Sequence, residues 1–198
     1  MQSQDDFADL IVAAICRIAA SAIDQYRKSS SERMEYVYEH IIEASIITHL
    51  GFLLPIKNQV EMTRLCAPET LKEASKRYGS NISSRKIDLV VFRSAISDFN
   101  PQPLIAVEVK RWKLSKNDED RLTIVRDLLP SCKYLVRLLV RDSAPDDSKL
   151  KEMEVCEKRK GNKFFIEPLA VIAGDIKPYC VVACMGKGAP PELAATEV

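Results

Sequence analysis

Histidine is nearly absent. His40 and His49 are the only two in 198 residues, and both fall in one stretch of helical periodicity, where they read as structural. That leaves almost no material for Ser-His-Asp or Cys-His nucleophilic chemistry, or for a histidine-rich metal centre. The six cysteines (16, 66, 132, 156, 180 and 184) form no Cys-x-x-Cys pair, and they sit in apolar helix or strand patterns. A disulfide framework or zinc knuckle is thereby disfavoured, and buried reduced thiols in a cytoplasmic setting are expected. Glycine is scarce at six residues. There is no Gly-x-Gly-x-x-Gly run, and Gly186-Lys187-Gly188 lacks the spacing of a phosphate-cradling loop. Charge is balanced, 29 basic against 28 acidic residues, so no global positive field announces a polyanionic partner, and any such surface must be local. The longest apolar run, Leu10 to Ile23, is broken by Arg17, and the N-terminus opens on Gln2, Asp5 and Asp6 rather than a basic segment. Neither a membrane span nor a signal peptide is expected.

What is present is one domain's worth of core: the chain is 46% hydrophobic and rather short for two independently stable units. A single domain over residues 1–185 is expected, with a disordered tail over 186–198. Phe7, Leu10, Ile11, Ala14, Ile15 and Ile18 repeat at helical spacing, which predicts an N-terminal amphipathic helix. Ser29 and Glu32 have the spacing of a capping box for a second helix ending near Leu50 and Gly51. Residues 52–62 read as extended, 68–79 as a short polar helix. Ile87–Phe92 and Leu104–Val109 read as adjacent antiparallel strands, residues 114–129 as a helix and Tyr134–Val140 as a strand. Pro145 opens a charged helix to about Lys160, and strand-like runs follow at Phe164–Ile172 and Tyr179–Cys184. This order predicts an α/β fold, with a central mixed sheet flanked by helices.

Three charged residues stand where apolar ones are expected. Glu108 and Lys110 are two apart in one apolar strand, so they share a face, while Ile105, Val107 and Val109 take the other. Asp88 interrupts the preceding strand in the same way, opposite to the face of Ile87, Leu89 and Val91. Charges inside such strands are tolerable only with partners or a metal ion. If the two strands pair, Asp88 and Glu108 converge, and two close carboxylates suit a hard divalent cation with oxygen ligands. In the second helix, at about 100° per residue, Glu39 falls on the stripe of Ile42, Ile46 and Leu50 that should face the sheet. Glu35 and Glu43 lie about a turn to either side.

A helix acid, then an Asp in one strand, then Glu-x-Lys in the next, resembles the PD-(D/E)XK nuclease superfamily. The resemblance covers about residues 31–141. Asp88 matches the first acid, Glu108-Val109-Lys110 the Glu-x-Lys, and Glu39 the helix acid, while Ile87 stands in place of the name-giving proline. It implies a restriction-endonuclease-like αβββαβ core with an extra N-terminal helix. It also implies metal-dependent phosphodiester hydrolysis, of the DNA endonuclease type. Asp88, Glu108 and Glu39 would hold Mg²⁺, or Mn²⁺ in its place, and Lys110 would orient or help deprotonate water. The expected partner is nucleic acid, DNA in the first instance, with a homodimer as one arrangement and no membrane. The basic stretch after the motif, with Arg111, Trp112, Lys113 and Lys116, joins Arg85 and Lys86 as an expected phosphate-contacting surface. Gln59, in the first strand, is a further residue that would line the site. The rival reading is a non-catalytic nucleic-acid-binding or assembly module retaining the same fold.

Overall fold

The computed structural model describes residues 4–30, 39–93, 102–111, 116–129, 131–171 and 178–188. Its centre is a six-stranded mixed sheet of order β1-β2-β3-β4-β6-β5. The strands are β1 (Ile56–Glu61), β2 (Lys86–Phe92), β3 (Pro103–Arg111), β4 (Tyr134–Arg141), β5 (Lys163–Pro168) and β6 (Cys180–Lys187). The helices are α1 (Gln4–Ser30), α2 (Glu39–Leu50), α3 (Pro68–Tyr78), α4 (Lys116–Leu128) and α5 (Ser148–Arg159). β2 and β3 pair antiparallel, as their sequences predict, and β3 pairs parallel with β4 across the α4 connection.

Alternation along the strands builds two cores. Leu89, Val91, Ile105, Val107 and Val109 pack with Val136, Leu138 and Val140 beneath α1 and α2. Val90, Phe92 and Ala106 turn the other way and pack on Leu71 and Ala74 of α3 and on Ile124, Val125 and Leu129 at α4. Further along that second face, α5 lays Leu150 over Cys180, Val182 and Cys184. Each such aliphatic side chain contributes about 1.5–3 kcal/mol when fully buried, which is why period-2 runs of Val, Ile and Leu fix strand register so strongly. The helix ends follow local chemistry. Pro68 opens α3, Gly79 closes it with a φ of 96° that L side chains rarely adopt, and the Asp147 side chain caps α5 by accepting the Lys149 N–H at 2.8 Å.

From α2 onward the observed order is helix, strand, strand, strand, helix, strand, with α3 inserted between β1 and β2. Four expectations need correction. Ser29 does not cap the second helix: it lies in the last turn of α1, donating its hydroxyl to the Tyr26 carbonyl. The buried stripe of α1 is Ala8, Ile11, Val12, Ile15, Cys16, Ala19 and Ile23, which leaves Phe7 and Leu10 exposed. The strand predicted over Phe164–Ile172 ends at Pro168, and β6 continues through Gly186 to Lys187, where the tail was expected to begin. Residues 189–198, where the rest of that tail lies, are outside the described residues, as is Glu35. All six cysteines are free, four of them buried. Among the described residues no helix is long and apolar enough to cross a membrane.

Candidate functional site

The β2–β3 ladder runs from Phe92–Pro103 to Leu89–Val107. Beyond it β2 follows β1, through Ile87–Val60 and Lys86–Glu61, while β3 follows β4, from Glu108–Arg137 to Arg111–Val140. The sheet therefore forks, and one register step past Leu89–Val107 stand Asp88 and Glu108, on the same face as Val90 and Ala106. At the fork a side chain takes over from the ladder: Asp88 Oδ2 accepts the Val109 backbone N–H at 2.8 Å. That bond satisfies a donor which would otherwise be costly to bury.

Lys110 Nζ lies 3.7 Å from that same Asp88 oxygen and donates to Glu39 Oε2 at 2.8 Å. On the other side of Asp88, the Gln59 amide donates to Asp88 Oδ1 at 3.4 Å and to Glu43 Oε2 at 3.0 Å. A continuous polar string results, Glu43, Gln59, Asp88, Lys110 and Glu39, bringing α2, β1, β2 and β3 to one place. Glu108 is completely buried, and its charge acts on the Lys110 ammonium. Gln59 stands opposite Asp88 between the Asn58–Leu89 and Val60–Ile87 pairs, and it alone among the described non-glycine residues has positive φ, 48°. A left-handed backbone in mid-strand carries a strain of about 1–3 kcal/mol and collects at functional positions.

The electrostatics follow from this crowding. Burial pushes the Lys110 pKa down, but the hydrogen bond to Glu39 and the charges of Asp88, Glu39 and Glu108 outweigh it, so the ammonium ends above its usual 10.5. Lys110 is thus held as a cation among carboxylates. Burial raises the Glu43 pKa; Asp88 and Glu39 add to the rise, opposed by the Gln59 hydrogen bond and by Lys110, and the net shift is upward from 4.5.

The structure thus brings Asp88, Lys110 and Glu39 into direct contact, with Glu108 beside them. Glu43 belongs there too, and it is the more deeply buried of the two helix acids: Glu43 is 5% exposed, whereas the Glu39 side chain is 36% exposed. The signal for Glu43 lay in its position one helical turn from Glu39, where i and i+4 share a face. His40 and His49 are exposed rather than packed. Lys86 is exposed and pairs with Glu61 at 3.9 Å. Arg85 is half-buried at the entrance to β2, its carbonyl accepting the Met62 N–H. Trp112, Lys113 and the side chains of Arg111 and Lys116 lie outside the described residues.

The donor set is all oxygen, from carboxylates on a helix and two strands, and by its chemistry it fits a hard divalent cation such as Mg²⁺. Among the described residues, however, no group of three or more His, Cys, Asp or Glu is spaced to enclose a metal ion; the charge-balancing group within the string is the Lys110 ammonium. No family model, curated protein or solved structure matches the chain.

Proposed function

We propose that the chain is a metal-dependent phosphodiesterase acting on DNA, of endonuclease type, with a restriction-endonuclease-like core. The observation that carries the reading is the meeting of Asp88 and Lys110 at the β2–β3 fork, 3.7 Å apart, with Glu108 buried beside them and Glu39 on Lys110. An acid and a Glu-x-Lys on neighbouring strands, joined by an acid from the preceding helix, is the arrangement that phosphodiester hydrolysis calls for: oxygen donors for a cation and a fixed positive charge for the phosphate.

Asp88 and Glu108, with Glu39 or Glu43, would hold Mg²⁺, and Mn²⁺ would serve in its place. A bound divalent cation supplies Lewis-acid polarisation of a phosphoryl oxygen and lowers the pKa of water. The chain's own groups do the rest. Lys110, held as an ammonium, orients the attacking water through its N–H donors and stabilises negative charge on the phosphate; its raised pKa argues against its serving as the base. Where Glu39 completes the metal set, Glu43, its carboxyl pushed upward by burial, is left on the string to accept or return a proton. Gln59 fixes the angle between Glu43 and Asp88.

The purified protein should nick or linearise supercoiled plasmid with Mg²⁺ or Mn²⁺ and do nothing in EDTA. Asp88→Asn should be inactive under all conditions. Absence of metal-dependent cleavage on plasmid, linear duplex and single strands would end the enzyme reading. The alternative, a nucleic-acid-binding module that keeps the site without cutting, is favoured by one observation: the Lys110 contacts with Glu39 and Asp88 already offset part of the negative charge at the fork.

A further inference from the structure

Arg137 interrupts the apolar run of β4 just as Asp88 and Glu108 interrupt theirs. Its register partner on β3 is Glu108 and on β6 is Cys184, so it stands on the site's face of the sheet, one strand further along. Its guanidinium is tied to Glu157, a carboxylate only 4% exposed. Glu157 also accepts from Asn162 Nδ2 at 2.6 Å and Lys160 Nζ at 3.0 Å. Burial alone would raise its pKa, but the hydrogen bonds from Asn162 and Lys160 and the charges of Arg137 and Lys160 bring it below 4.5. Glu157 is therefore a fixed buried anion that immobilises Arg137, and a guanidinium has five donors, more than one carboxylate can use.

Arg137 lines an open cavity of about 350 Å³, together with Arg126 and Thr123 of α4, Asn162, and Gly186 and Lys187 of β6. Among the described residues, three cations and no acid line it. A Cβ on Gly186 would stand 2.8 Å from Asn162 Oδ1, so the glycine lets that amide lie over the end of the sheet. Among the described residues, the acids paired with the two outer cations are on the surface, Asp127 at 3.4 Å from Arg126 and Asp5 at 3.8 Å from Lys187. Exposed pairs of that kind are worth little and yield to a competing anion. A pocket of this size and polarity suits one phosphate with part of its sugar.

We propose that this pocket, between α4, β4 and β6, binds a backbone phosphate of a nucleic-acid strand lying across the sheet face next to the Asp88–Lys110 site. The choice of a strand as ligand rests on the proposed function; the anion preference rests on the pocket itself.

The test is equilibrium binding of a short fluorescein-labelled single-stranded DNA to the full chain in EDTA, over a series of salt concentrations. The variants are Arg126→Glu/Lys187→Glu and the milder Arg126→Gln/Lys187→Gln, in which both side chains are exposed and neither belongs to the candidate site. The expected result is a loss of about tenfold in affinity for the charge-reversed protein, a smaller loss for the neutral one, and a log-log salt slope shallower by about 0.7, for the one lost phosphate contact. Arg126→Lys/Lys187→Arg should bind as the parent does. Unchanged affinity in both variants overturns the proposal, as does a parent protein that binds no strand. Thermal stabilisation by inorganic phosphate alone, with no strand bound, would assign the pocket to a free phosphate and overturn it equally. Variant-sensitive binding without cleavage in any metal would defeat the nuclease reading and leave this one standing. Metal-dependent cleavage with variant-insensitive binding would do the reverse.

Discussion

A single oxygen of Asp88 does two jobs: Oδ2 accepts the Val109 backbone N–H at 2.8 Å and faces the Lys110 ammonium at 3.7 Å. The first contact is structural, because it replaces a ladder hydrogen bond where β2 and β3 part. The second belongs to the site's chemistry.

Substitutions at Asp88 should therefore separate fold from function by their shape. Asp88→Asn keeps an oxygen for the Val109 N–H but loses the negative charge and turns its amide N–H₂ toward the Gln59 donor, so it should melt below the parent yet above Asp88→Ala, and lose metal-dependent cleavage. Asp88→Ala leaves a buried N–H without its acceptor, a cost of about 1–3 kcal/mol. Chemical denaturation of the two variants checks this, and equal stabilities would show that the Val109 bond contributes nothing.

Much of this arrangement is legible in the sequence, and for one reason: charged residues in apolar period-2 runs are rare enough to mark a site. The rule finds Asp88, Glu108 and Lys110 directly, and applied to Tyr134–Val140 it would have flagged Arg137 as well. The helix was harder to read. On the ideal wheel Glu39 falls among the apolar residues, yet Glu43 is buried with Ile42, Ile46 and Leu50 while Glu39 stays at the margin to reach Lys110. A wheel gives angles but not which side of the stripe meets the sheet. The positive φ of Gln59 was beyond reach, since nothing local asks for it; its amide is held between acids from α2 and β2. The cationic pocket is assembled from residues more than sixty positions apart, and in a chain of net charge +1 composition hides it.

Gln59 offers a clean measurement of strain. Gln59→Gly and Gln59→Ala both delete the bridge between Glu43 and Asp88, but only glycine adopts φ 48° without penalty. The glycine variant should be more stable than the alanine variant by about 1 kcal/mol, as read from urea unfolding midpoints. The reverse order would mean that the backbone at this position relaxes once the amide is gone.

Glu43 predicts a specific pH dependence. Its folded pKa is raised above 4.5, so its protonated form favours the fold: that contribution is complete below pH 4.5 and is lost as pH rises through the higher folded value. Glu43→Gln mimics the protonated state and should raise the melting temperature above the parent's at pH 8, with the gap closing as pH falls to 4.5. A gap that stays constant with pH would remove Glu43 from the titrating groups of the site.

Lys110 gives the sharpest test of what the site is for, because its ammonium is the cation among Asp88, Glu39 and Glu108. Lys110→Met keeps the aliphatic stem and deletes the charge. Breaking one side of a buried pair generally costs about 3–5 kcal/mol, and the partial exposure of this site, with the Lys110 and Glu39 side chains 16% and 36% exposed, should keep the loss to the lower end of that range or below it. The acids left behind are oxygen ligands, so a divalent cation that binds the folded state should recover stability by mass action. In EDTA the variant should melt below the parent; in millimolar Mg²⁺ the gap should narrow, while cleavage stays absent for want of the water-orienting ammonium. The readout is the difference in melting temperature between the two proteins, with and without Mg²⁺, so it stands apart from any activity assay. A gap unchanged by Mg²⁺ and Mn²⁺ would mean that these carboxylates serve only as partners of Lys110, and the metal-dependent reading would fall with them.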